Sequence, residues 1–189
     1  MNQLLRLGSL FGFKIMVKIT AVTGFLFLWL VFSLVGWLGL DLGAGTAVLT
    51  ALIAAILHFL GEFWHQLGHA WAARRTGWPM SGVMFIWVLA ASLYPKDEPE
   101  LPARVHIRRA LGGPAASLFM TVLMGLVVWV TSTSPVTTIS FYISINYLTL
   151  FFFLDNLLVF TLGAFLPLGF TDGSTLLRYW PQRHENIIP

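Results

Sequence analysis

Residues 44–77, AGTAVLTALIAAILHFLGEFWHQLGHAWAARRTG, decide the fold. The first half carries no charged residue and is long enough to enter a bilayer as a helix. The second half carries Glu62, His65, Gln66 and His69 before the stretch ends on Arg74, Arg75 and Gly77. Polar groups so far inside an apolar helix are costly and point to function. His65 and His69 stand in the pattern His-Gln-x-x-His. That pattern is one residue type away from His-Glu-x-x-His, in which paired histidines hold zinc and the glutamate handles protons.

The rest of the chain agrees with a membrane setting. Of its 189 residues 57% are hydrophobic and 10% charged, with a mean hydropathy of +0.80. Long apolar stretches in so short a chain indicate an integral membrane protein. The net charge of +3 is then a matter of topology and gives no reason to expect nucleic acid. Cysteine is absent, which excludes disulfides, thiolate ligands and cysteine nucleophiles. No short apolar core followed by a small-residue cleavage site marks the start as a signal peptide.

Four stretches are expected to span: Ile19–Leu40, Ala44–Ala73, Pro114–Thr131 and Ser140–Leu166. Met80–Tyr94 is apolar but short and rich in Val, Ile, Phe and Trp, which predicts a strand pair or re-entrant segment. "GFKIMVKIT" before the first span alternates with a strand period. The expected fold class is therefore a mostly α, polytopic membrane protein with about four transmembrane helices and a small membrane-associated β element. Residues 1–189 read as a single domain. Arg6, Lys14 and Lys18 precede the first span. Arg74, Arg75, Lys96, Arg104, Arg108 and Arg109 lie between the second and third, and Arg178 and Arg183 follow the fourth. These are all of the Lys and Arg residues, so the positive-inside rule places both termini and the central loop in the cytoplasm.

His65 and His69 share one helix face, so both imidazoles can reach one ion. His65 lies about 14 Å from Arg74 along the helix, inside the cytoplasmic leaflet. A catalytic zinc takes three protein ligands and keeps one open position. Asp172, in "LPLGFTDGS", returns to the same side after the fourth span and is the third candidate. It could equally cap the helix "TLLRYW".

Three segments in order resemble the site-2 protease family of intramembrane zinc metalloproteases. "HQLGHAWAARRTG" resembles the family's His-Glu-x-x-His helix. "LGGPAAS" resembles the Gly-Pro motif that opens a later core helix. "AFLPLGFTDGS" resembles its Asn-x-x-Pro…Asp-Gly segment, whose aspartate is the third ligand. The short strands also resemble those of smaller members. The resemblance implies Zn²⁺ held by His65, His69 and Asp172, and a transmembrane protein or peptide as substrate. The chain departs from the family pattern at four places. Gln66 stands at the catalytic glutamate, Ala164 at the asparagine, Ser117 at a second asparagine, and Ser174 at a glycine.

Gln66 leaves zinc binding possible, since that position is not a ligand. It removes a general base that takes a proton and later returns it, a role worth about 10²–10⁴-fold. The expectation is an impaired or inactive intramembrane metallopeptidase. The alternative is a pseudoprotease that binds transmembrane helices without cutting them, with an exposed strand edge free to capture an unwound peptide by strand addition. Glu62, on one helical stripe with His58, His65 and His69, reads either as a replacement proton carrier or as a carboxyl hydrogen-bonded to Asn156 or Asp155. Asp97, Glu98, Glu100 and His106 read as a solvated face. Glu62-x-x-His65 superficially fits a diiron motif, but His106 and His184 are isolated in cytoplasmic segments, unlike the clustered histidines of such enzymes.

Overall fold

The computed structural model describes residues 4–10, 13–133 and 140–184. Gly12 of the predicted strand and most of the connection "TSTSPVTT" lie outside them. Two strands, β1 (Leu4–Leu10) and β2 (Phe13–Lys18), lead into α1 (Ile19–Leu34), which loosens into a π turn over Val35–Gly39. The long helix α2 (Ala44–Arg75) follows, then a hairpin of β3 (Gly82–Ile86) and β4 (Leu89–Leu93). After it come α3 (Ala103–Ser132) and α4 (Ser140–Leu154), the latter continuing as a π-helix over Asp155–Leu162 and a 3₁₀ turn over Gly163–Phe165. The short helix α5 (Asp172–Tyr179) carries the aspartate.

Among the described residues four helices are long and apolar enough to cross a membrane: Ile19–Gly39, Ala44–Arg75, Ala103–Ser132 and Ser144–Phe165. Their outward faces expose Leu30, Leu49, Phe119, Leu126 and Leu158, the pattern of helices solvated by lipid. The expected membrane fold with a small β element is what forms. One boundary needs correction. The third helix begins at Ala103, not Pro114, and Pro114 lies inside it. Pro102 precedes the first turn and starts the helix. Pro114 has no N–H for the Ala110 carbonyl, a loss that packed membrane helices tolerate.

The sheet has the order β1-β2-β3-β4, so β4 is an edge strand. β2 and β3 run parallel, because α1 and α2 intervene between them, and the other pairs are antiparallel. Its inner face packs Val83 and Phe85 against Ala21 of α1 and against Phe59 and Phe63 of α2. The β3–β4 turn is Trp87-Val88, and Trp87 has a left-handed φ of 55°. Packing holds this strained position: the Trp87 ring meets Phe27 edge-on at 5.6 Å. A Cβ on Gly24 of α1 would strike the Trp87 backbone. The hairpin tip is thus seated against α1 and α2. α2 and α3 touch backbone to backbone, since a Cβ on Gly68 or Gly112 would land on the other's carbonyl, the close approach that small residues give membrane helices.

Candidate metal centre

The contact of Gly68 with Gly112 places the next residue, Gly113, directly over the two histidines. A Cβ on Gly113 would fall on the Nε2 atoms of both His65 and His69. Glycine therefore leaves open the space into which these nitrogens point. The two Nε2 atoms are 3.0 Å apart. Asp172 reaches them from α5, its Oδ2 3.2 Å from His65 Nε2 and its Oδ1 3.4 Å from His69 Nε2. One ligand atom from each of the three lies within 4.8 Å of the others. Two nitrogens on one tetrahedral zinc would stand roughly 3.3 Å apart, given Zn–N of about 2.05 Å.

The far side of each ring is tied down. His69 Nδ1 lies 2.8 Å from the Arg109 carbonyl and 3.2 Å from the Gly113 N–H, which fixes the ring and turns its Nε2 toward Asp172. His65 Nδ1 lies 3.0 Å from Ser117 Oγ, and Ser117 is fully buried. Such partners fix ring orientation and tautomer in metal sites. Two imidazoles and a carboxylate, each able to give one lone pair, meet at one point, so the residues present fit a zinc ion. Burial pushes the Asp172 carboxyl up, but its hydrogen bonds to His65 and His69 and their charge outweigh this and hold it below the ordinary carboxylate value. Asp172 is the first residue of α5. Thr171 holds the cap position, so Asp172 faces the histidines and does not cap the helix. α5 itself is docked by Tyr179 stacking on His106 of α3 at 4.1 Å, and by Gly173 lying against the Phe165 carbonyl.

The other polar residues of α2 turn elsewhere. The single stripe expected from the sequence is split by its surroundings. Glu62 Oε1 accepts from the Ala90 N–H at 2.9 Å and from Gln66 Nε2 at 3.0 Å. Gln66 Nε2 also donates to the Ala90 carbonyl at 3.2 Å, and its Oε1 accepts from Ser92 Oγ at 2.7 Å. The expected partners of Glu62, Asn156 and Asp155, serve otherwise. Asp155 pairs with His58 Nδ1 at 3.1 Å, while His58 Nε2–H donates to the Val88 carbonyl at 2.8 Å. Asn156 Nδ2 donates back to Phe152 O at 2.9 Å.

A cavity of about 770 Å³ opens beside the three candidate ligands and is also lined by Glu62, Gln66 and Ser92. Its mouth corrects a second expectation. Glu98 does not belong to a solvated face: it forms a two-point ion pair with Arg109 at 2.9 and 2.5 Å. Arg109 is buried, donates to the Trp78 carbonyl at 2.6 Å and lies over the Tyr94 ring at 4.2 Å. Burial pushes the Tyr94 hydroxyl up to about 12, against the opposing pull of Arg109. Arg109, Gly113 and Ser117 are site residues that the sequence reading did not assign to the metal. They recur four apart on α3, one face of a helix.

No protein-family model matches the chain. No curated protein matches it either. Among solved structures the chain is similar to the site-2 protease from Methanocaldococcus jannaschii, with a TM-score of 0.60 and 18% identity. The match covers 98% of this chain and 74% of that one. The fold is therefore site-2-protease-like over nearly the whole chain.

Proposed function

We propose that the chain is a site-2-protease-like intramembrane zinc metallopeptidase acting on transmembrane peptide segments near the cytoplasmic leaflet, with turnover impaired by Gln66. The convergence of His65 Nε2, His69 Nε2 and Asp172 within 4.8 Å, beside a cavity in a membrane-spanning fold, carries this reading. The likeness in fold to the archaeal site-2 protease supports it. Both termini and the central loop lie in the cytoplasm on this reading, and residues 1–189 act as one membrane domain. Cysteines placed singly at Thr133 and Glu98 then label from opposite membrane faces; labelling from the same face would end the four-span model.

His65, His69 and Asp172 hold the ion. Bound zinc would supply a Lewis acid and lower the pKa of a water to about 7. The remaining task is moving a proton, and Gln66 is poorly placed for it. Both of its amide hydrogens are used, one on Glu62 and one on the Ala90 carbonyl. It retains only a spare lone pair on Oε1. Glu62 lines the cavity and is the remaining carboxyl on this part of α2. Its Oε1 is already occupied by two N–H donors, so any proton it moves must travel on Oε2.

The test compares the unmodified chain, Gln66→Glu and Glu62→Gln on one helix-destabilised membrane peptide. Cleavage is expected to rise about 10²–10⁴-fold in Gln66→Glu, the range of a restored general base. Zinc-dependent cleavage by the unmodified chain that vanishes in Glu62→Gln would instead make Glu62 the base. Silence from all three with zinc bound would favour the pseudoprotease, which the closed set of hydrogen bonds on Gln66 makes the second reading.

A further inference from the structure

An edge strand inside a membrane protein presents backbone groups that lipid cannot satisfy. β4 is such an edge, yet the N–H and C=O of its residue Ala90, the carbonyl of Val88 in the turn before it and the hydroxyl of Ser92 are engaged by side chains of α2. His58 donates to the Val88 carbonyl, Glu62 accepts from the Ala90 N–H, and Gln66 donates to the Ala90 carbonyl and accepts from the Ser92 hydroxyl. The helix residues are 58, 62 and 66, and the hairpin residues are 88, 90 and 92. Four residues of helix advance about 6 Å and two residues of strand about 6.7 Å, so the two series stay in step over three rungs. Every second strand residue faces the same way, which is why only even-numbered positions take part.

We propose that His58, Glu62 and Gln66 form a built-in partner for the β4 edge, that this ladder closes the edge beside the metal centre to an added peptide strand, and that Gln66 is a positioning residue whose amide completes it. The chemistry selects glutamine. Its neighbours are a carbonyl and a carboxyl oxygen, both acceptors, together with a hydroxyl donor. An amide meets all three at once. A glutamate at 66 could accept from Ser92 but could donate to neither the Ala90 carbonyl nor an ionised Glu62. The residue that removes the general base is thus the one that seals the strand. The expectation of an exposed strand edge open to a peptide is replaced, at these positions, by an edge paired to the helix.

Two measurements on the purified full chain test this, neither reading zinc or cleavage. Only the second rests on the proposed peptide substrate. The first is amide hydrogen exchange across β4. Glu62→Leu removes the acceptor for the Ala90 N–H, and exchange there is expected to rise about tenfold. Glu62→Gln retains an oxygen in the same place and is expected to protect as the unmodified chain does. Gln66→Leu leaves that acceptor standing and loosens the next rung, so it supplies an independent variant should Glu62→Leu fold poorly. The second measurement is photo-crosslinking of an extended, apolar, helix-broken peptide to β4. The Leu variants are expected to capture several-fold more than the unmodified chain. Unchanged exchange at Ala90 in Glu62→Leu with native helicity, or capture by Gln66→Leu no greater than by the unmodified chain, would overturn the closed edge. Loss of cleavage with these results intact would count only against the peptidase reading.

Discussion

Two polar pairs sit within one helical turn of each other on α2 and do opposite things. His65 and His69 face α3 and α5; Glu62 and Gln66 face β4. The histidines each spend one nitrogen on an anchor, Ser117 or Arg109, and turn the other into a shared space. Glu62 Oε1 and the Gln66 amide spend their capacity on each other and on the strand. Both pairs are buried, so burial does not distinguish them. The neighbour does: glycine at 113 leaves a gap for an ion, whereas a strand edge fills the other side with N–H and C=O groups. A buried polar residue is therefore read best by asking which of its atoms remain unspent.

The largest expected effect tests that division directly. His69→Ala or Asp172→Ala should reduce bound zinc from about one per chain to nearly none, while Glu62→Ala should retain it, measured by metal analysis of purified protein. Loss in Glu62→Ala with retention in Asp172→Ala would erase the distinction between the pairs. Gly113→Ala comes next. It changes no ligand, yet its methyl would come within 2.3 Å of His69 Nε2 and 2.4 Å of His65 Nε2. Zinc content should fall sharply with helicity unchanged; full retention would mean that α3 can move away from α2. The smallest effect belongs to the anchor. Ser117→Ala leaves His65 free to rotate, and zinc affinity should weaken by roughly 10–100-fold. An unchanged affinity would show that α2 packing alone orients the ring.

Much of this was legible in the sequence, and for a physical reason. Apolar length marks helices that must satisfy their own backbone in lipid, and a spacing of four puts His65 and His69 on one face whatever surrounds them. Asp172 could be paired with them because topology returned it to the same side. The hairpin was legible as strands but not as a turn. Trp87-Val88 contains none of the usual turn residues, and its left-handed φ is held by Gly24 and Phe27 of another element. The start of α3 was missed because Pro114 reads locally as a boundary, while the packing of α3 on α2 carries the helix through it. Arg109 was counted as a loop charge. Its burial depends on Glu98, eleven residues earlier, folding back over the helix. Partners set by tertiary contact leave no periodic trace.

One feature of the centre bears on how the protein is made. The histidines belong to α2, and the carboxylate that completes the set lies 107 residues beyond His65. The ribosome must therefore finish α3 and α4, and the membrane must accept both, before three protein ligands can meet. α5 then docks by its stack on His106 and its seat against the Phe165 carbonyl. Until that moment the paired imidazoles offer a weaker, two-ligand grip. On the proposed metal reading, capture of the ion would be a late event in biogenesis, and a chain that has threaded its fourth span incorrectly would be marked by its failure to retain metal.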